Sequence, residues 1–195
     1  MSLTLMSHLL MMAVVLACLV HHGSAGDCSY PDPAKGFTHE GYEGRWFEIG
    51  KIQTKGGAFF EKDCVCTELT ASIMDQPNGD GSVDNDCRSK TPDGKWTNVT
   101  GTLTGEDPAH PGRWLEHIGP SFAAPVNYTV IALDENTAVE YDCGTSMGIT
   151  NYCIHVMSRT RTMEQSTFDS LIKFAEDLGL NPNNLPVSMT KQDGC

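Results

Sequence analysis

Gly44-Arg45-Trp46-Phe47-Glu48-Ile49-Gly50-Lys51-Ile52 is the stretch from which the rest of the chain can be read. A glycine stands two residues before a tryptophan and leads into an alternating, strand-like piece. Far downstream, Tyr141-Asp142-Cys143 and Ser158-Arg159 close two further strand-like pieces. Between them turn clusters recur: Lys55-Gly56-Gly57, Pro77-Asn78-Gly79-Asp80-Gly81, Pro92-Asp93-Gly94, Gly105-Glu106-Asp107-Pro108 and Asp134-Glu135-Asn136. Short strands at such intervals predict an all-β barrel or sandwich. Asn78-Gly79 reads as a hairpin turn. The carboxylates around it miss the alternating ligand spacing of a calcium loop.

After the strands one amphipathic helix is expected. Phe168, Leu171, Ile172, Ala175 and Leu178 recur at helical spacing. Thr162 with Gln165 three residues later has the capping-box pattern. Gly179 can stop the helix in a left-handed conformation, and Asn181-Pro182 cannot extend it. Upstream of Gly44, residues 27–41 are rich in Pro, Gly and Asp and read as an irregular arm.

Further upstream, an apolar run from Leu9 to Val20 is followed by Gly23, Ser24 and Ala25. This pattern predicts a secretory signal peptide over 1–25, with one domain over 26–195. The run is too short for a bilayer-spanning helix, so no membrane insertion is expected. The net charge is −12, from 13 Lys and Arg against 25 Asp and Glu. None of those residues lies within 1–25, so the acidic charge belongs to the domain, which excludes nucleic acid as a partner. Of eight cysteines, seven remain once Cys18 is set aside. Disulfides are the default for a secreted chain, and an odd count leaves one thiol over. The histidines are not spaced with the cysteines as zinc ligands, so no metal is expected. Asn98-Val99-Thr100 and Asn127-Tyr128-Thr129 are candidate glycosylation sites.

The order of these features resembles the lipocalins. Gly44-Arg45-Trp46-Phe47-Glu48-Ile49 with Lys51-Ile52 is similar to the family's first conserved region. Ser121-Phe122-Ala123-Ala124-Pro125 is similar to the crustacyanin sequence at the matching place, and Arg159 matches the third region. The second region departs, reading Ala132-Leu133-Asp134 where Thr-Asp-Tyr is usual. Within the family the resemblance points to apolipoprotein D, the insect bilin-binding proteins and the crustacyanin subunits. It implies an eight-stranded up-and-down antiparallel barrel with one C-terminal α-helix packed outside. It gives Gly44, Trp46 and Arg159 structural roles, with Trp46 plugging the closed end and the Arg159 guanidinium lying across its indole.

The same resemblance implies two disulfides, Cys28–Cys143 and Cys64–Cys195. Cys66 and Cys87 flank the Pro77–Gly81 turn at nearly equal distances and can face each other across one hairpin. Cys153 is then the odd thiol, although sequence alone does not fix connectivity. The resemblance also points Arg159 inward at the base. Counting back by twos puts Met157, His155 and Cys153 on the inner face. Ala138 and Glu140 are expected inward on the preceding strand, and Val65, Thr67 and Leu69 on the second. Phe59 and Phe60 fall on the first large loop, over the mouth. A buried Glu140 needs a partner, for which His155 or a charged ligand is a candidate.

The functional expectation is a secreted, non-enzymatic carrier of a small hydrophobic ligand. No cofactor is required, and a bilin, a carotenoid, a fatty acid or a steroid-like lipid are the candidate cargoes. Two alternatives stand beside it. One is a lipocalin-type isomerase using Cys153, whose thiol would then need a depressed pKa. The other is a scavenger of cationic amines, suggested by Glu140, Asp84, Asp86 and the acidic total. A homo-oligomer or a receptor partner is left open.

Overall fold

The computed structural model describes residues 28–74, 79–119 and 124–195. The expected signal peptide and the Ser121-Phe122-Ala123 part of the crustacyanin-like stretch lie outside them. A single helical turn, α1 (His39–Tyr42), leads into β1 (Gly44–Gln53). Seven more strands follow: β2 (Cys64–Ile73), β3 (Gly81–Ser89), β4 (Trp96–Gly105), β5 (Arg113–Ile118), β6 (Val126–Leu133), β7 (Thr137–Ser146) and β8 (Ile149–Ser158). Helix α2 (Gln165–Asp177) and a two-residue β9 (Ser188–Met189) complete the order. Each strand from β1 to β7 pairs antiparallel with the next, and β1 also pairs with β8. The sheet therefore closes on itself as an eight-stranded up-and-down barrel with one C-terminal helix outside, and β9 adds onto β1.

The apolar residues divide into two cores, and β8 shows why. Tyr152, Ile154 and Val156 alternate with Cys153, His155 and Met157. The first set packs outward with Ile49, Ile52, Phe168, Ile172 and Ala175, which seats α2 on the outer wall. The second set points into the barrel. There Trp46, Leu69, Val83, Leu103, Trp114, Tyr128 and Met157 fill the floor. Trp46 is fully buried, donates from Nε1 to the Tyr42 carbonyl at 2.7 Å and stacks on the Tyr42 ring. Arg159 lies 3.5 Å from the Trp46 ring centroid and donates to the carbonyls of Gly41, Glu43 and Arg45. Gly44, at φ +92°, supplies the left-handed turn that brings the chain past that guanidinium.

Local details differ from the sequence expectations. The arm is not wholly irregular: Thr38 caps α1 through its side-chain oxygen. Helix α2 begins at Gln165 with Glu164 as N-cap and no side-chain cap bond. The Thr162 capping box does not form, because the helix starts at Gln165 and leaves Thr162 before its N-cap; Gln165 bonds Asp169 within the helix instead. Gly179, at φ +74°, does close the helix, with Leu180 N–H returning to the Ala175 carbonyl. In the divergent second region Asp134 organises the β6–β7 turn, accepting from Asn136 N, Thr137 N and the Thr137 hydroxyl.

The disulfides are Cys28–Cys143, Cys64–Cys87 and Cys66–Cys195. The first is as the resemblance implied. The other two exchange the expected partners of Cys64 and Cys66. The cause is a β-bulge in β2 between Val65 and Glu68, where Cys66 takes φ +55°. Its N–H turns away from the β2–β3 ladder to the Lys191 carbonyl at 2.8 Å. That aims Cys66 at the tail and leaves Cys64 facing Cys87. Among the described residues Cys153 is the free thiol, and it is buried.

Candidate ligand-binding site

Above the aromatic floor lies a cavity of about 580 Å³, within the ordinary range for small-molecule sites. Leu69, Ile118, Tyr128 and Met157 supply apolar wall. Its mouth is edged by the β1–β2 connection, the residues preceding β6 and the β7–β8 hairpin. Phe59 and Phe60 open a single 3₁₀ turn (Phe59–Glu61) in that first connection and meet edge to face at 5.9 Å. Met147 at the hairpin tip is 99% exposed, so the lip itself is apolar.

Eight of the predicted lining residues border this cavity: Phe59, Phe60, Thr67, Leu69, Glu140, Cys153, His155 and Met157. Two do not. Val65 precedes the β2 bulge, so its parity is opposite to that of Thr67 and Leu69. Ala138 points inward but is sealed in the floor beneath the cavity, packed with Met157 and Val130. Asp84 and Asp86 stay out of the cavity, bonded to Thr100 and Asn98 on the outer surface of the barrel. The sequon Asn98 is exposed, whereas Asn127 is half-buried beside the Cys143 carbonyl.

The polar wall is richer than the sequence expectation. Glu48, Glu61, Glu116 and Asp142 line the cavity beside Glu140 and His155. A β1 bulge between Glu48 and Gly50 lets both Glu48 and Lys51 face inward. Lys51 Nζ lies 2.5 Å from Glu61 and 3.2 Å from Glu48. Burial alone would raise Glu48, but Lys51, His155 and the Thr190 hydroxyl hold it down at about 2. Burial also opposes the charge on Lys51, yet Glu48 and Glu61 outweigh it and raise its pKa. Glu61 is pushed up by burial and by the neighbouring Glu48. Glu48, Glu61 and His155 bring ligand atoms within 4.8 Å of one another, but the Lys51 ammonium already supplies positive charge there.

His155, one of the two candidate partners for Glu140, pairs elsewhere. Its Nδ1 meets Glu48 at 2.6 Å and its Nε2 meets Asp142 at 3.3 Å. Burial disfavours its charge, but Cys153, Asp142 and Glu48 together hold it above the ordinary imidazole range. The partner of Glu140 is instead Tyr42, whose hydroxyl donates to Oε1 at 2.7 Å and is itself hydrogen-bonded to the Tyr128 hydroxyl. Burial pushes Glu140 up to about 7. A carboxyl raised in the folded state adds stability below its ordinary value of 4.5, and that stability is lost as pH rises through about 7. Relative to Glu140→Gln, the protein should therefore lose on the order of 3 kcal/mol between about pH 4 and 8. Parallel urea-midpoint profiles for the two proteins across that range would contradict this.

The tail reaches this wall from outside. The Thr190 hydroxyl donates to Glu48, and Gln192 Nε2 donates to the Glu48 and Thr67 carbonyls at 2.9 and 2.8 Å. Cys153 sits among these groups, 1% exposed, with burial pushing its thiol up to about 11. Iodoacetamide at about pH 8 should leave the folded protein unlabelled and modify one thiol after denaturation. Rapid labelling of the folded form, read by intact mass, would show the opposite.

Residues 38–190 match the lipocalin-like domain family. The chain belongs to the lipocalins. It is 33% identical to mouse apolipoprotein D over 121 residues, 62% of this chain and 59% of that protein, so the match spans less than two thirds of that relative. With guinea pig (Cavia porcellus) apolipoprotein D it is 29% identical over 203 residues, covering 97% of this chain and 98% of the other. Insecticyanin of the tobacco hornworm Manduca sexta shares the fold at a TM-score of 0.64 and 19% identity, over 85% of this chain and 86% of its own. Lobster apocrustacyanin A1 does so at 0.59 and 12%, over 86% and 93%. Among the described residues of this lipocalin, no helix is long and apolar enough to cross a membrane.

Proposed function

We propose that this lipocalin is an extracellular carrier that holds one small, mainly apolar molecule in its barrel. The observation that carries the reading is the cavity itself, about 580 Å³ with largely apolar walls over a sealed aromatic floor. Apolar surface withdrawn from water at such a site supplies the affinity, and a few polar groups set orientation. Three disulfides and the leader-like N-terminal sequence support an oxidising, extracellular setting. A pigment or a lipid is the cargo class supported by the family resemblance. The isomerase reading has less support, because burial moves Cys153 away from the thiolate a nucleophile requires.

Titration with the neutral fluorophore N-phenylnaphthylamine should give saturable single-site binding. Phe60→Arg, which sets a charge at the mouth, should weaken it by about tenfold. Absence of saturable binding would end the carrier reading. The absorption spectrum of protein from its native source then divides the cargoes. A visible band marks a pigment, and a colourless protein yielding fatty acid or sterol on extraction marks a lipid.

A further inference from the structure

The cavity wall carries more acid than the protein neutralises. Among the described residues five carboxyl side chains line it: Glu48, Glu61, Glu116, Glu140 and Asp142. Two cationic side chains answer them. Lys51 bridges Glu48 and Glu61, and His155 stands between Glu48 and Asp142. Glu140 has the Tyr42 hydroxyl. Glu116 has no direct partner: it is 3% exposed, lines the cavity, makes no hydrogen bond or ion pair with any described residue, and feels only the more distant attraction of His155. A buried carboxyl without a partner is costly unless something outside the protein supplies one.

Two further features show that this is a built position. Gly101 on β4 lies directly beneath the Glu116 carboxyl, where a Cβ would stand 2.0 Å from Oε1. The glycine thus leaves the space in which the carboxyl lies against the wall. Across the cavity Thr67, also 3% exposed, has an Oγ1 with no partner among the described residues. An unsatisfied acceptor and an unsatisfied hydroxyl border one cavity, which points to a ligand with a polar head as well as an apolar body.

We propose that the preferred cargo is an amphiphile with an apolar body and one basic nitrogen, whose ammonium group pairs with Glu116 and is shared by Glu140 and Asp142. This rests on the carrier reading and specifies its head-group chemistry. Anionic amphiphiles are disfavoured by the same wall, since a carboxylate or phosphate head would meet excess acid. Burial, with Asp142 and Glu140 close by, keeps Glu116 well above the ordinary carboxylate range. On arrival of a protonated amine Glu116 ionises: its proton passes to solvent and the ammonium keeps its own. A neutral Glu116 can also donate one hydrogen bond, which an uncharged acceptor would take, so the two cases need separating.

Dodecylamine, dodecanol and dodecanoate share one apolar chain and differ only in the head. Their displacement of N-phenylnaphthylamine should be measured at roughly 0.5 M salt, where attraction to the net surface charge is screened. The amine is expected to bind about tenfold tighter than the alcohol, and the carboxylate weaker than both. Glu116→Gln, an isosteric change, should collapse the amine-to-alcohol ratio toward unity, and exposed Glu40→Gln should not. Alcohol binding as tight as the amine overturns this proposal and leaves the carrier reading standing. An amine preference that survives both Glu116→Gln and Glu140→Gln also overturns it, because the charge is then read elsewhere. Failure of all three to displace the probe overturns the carrier reading itself. The wild-type series decides the proposal even where a variant does not fold.

Discussion

Trp46→Ala should cost the protein about 3–5 kcal/mol, the range for deleting a buried aromatic. Trp46 is fully buried and is held from three sides: its Nε1 bond to the Tyr42 carbonyl, the stacked Tyr42 ring and the Arg159 guanidinium. Truncation leaves a void that the rigid floor cannot fill, and it takes the aromatic face from Arg159. Trp46→Phe keeps a ring for both neighbours and loses chiefly the indole donor, so it should cost roughly 1–2 kcal/mol. The effect should extend into the cavity, because the same Tyr42 holds Glu140. Urea midpoints at constant slope measure both. A loss below about 1 kcal/mol for the alanine variant would contradict the plug role assigned here.

Lys51→Met should be as damaging, by about 3–5 kcal/mol near neutral pH, since it strands buried charge on Glu48 and Glu61. Its pH dependence gives the sharper test. Glu48 is depressed to about 2 in the fold, so its contribution is present above its ordinary value of 4.5 and is lost as pH falls through about 2. Lys51 is raised, so its contribution is present below its ordinary 10.5 and is lost only at more alkaline pH. The wild-type advantage over the variant should therefore span the neutral range and shrink on acidification as the stranded carboxyls take up protons. Lys51→Met combined with Glu61→Leu should recover part of the loss. A pH-independent deficit in the single variant would mean that lost packing, not charge, sets it.

The barrel was legible because its strands follow simple periods wherever no bulge intervenes. Strand β8 runs straight, so counting by twos from Arg159 correctly separated Cys153, His155 and Met157 from Tyr152, Ile154 and Val156. Asp142 follows Glu140 by the same count and was available to the sequence reading. Glu116 shares a strand face with Trp114, but nothing in the sequence says which face of β5 is inward. The bulges were not legible. In β2 the extra residue falls at Cys66, whose left-handed backbone no glycine announces. This one step reversed Val65 relative to Thr67 and exchanged two disulfides. In β1 the bulge after Glu48 turns Lys51 inward, although strict alternation from Trp46 would send it out. A charged side chain three residues from another inward charge reads as surface until its partner Glu61 arrives from a different segment.

The Cys66–Cys195 bridge fastens the segment that carries Thr190 and Gln192, and both of these steady Glu48 in the cavity wall. Material produced in a reducing cytosol would leave that strap untethered. Affinities measured on it would then describe a looser vessel than the oxidised protein, so thiol counting should precede any survey of cargoes.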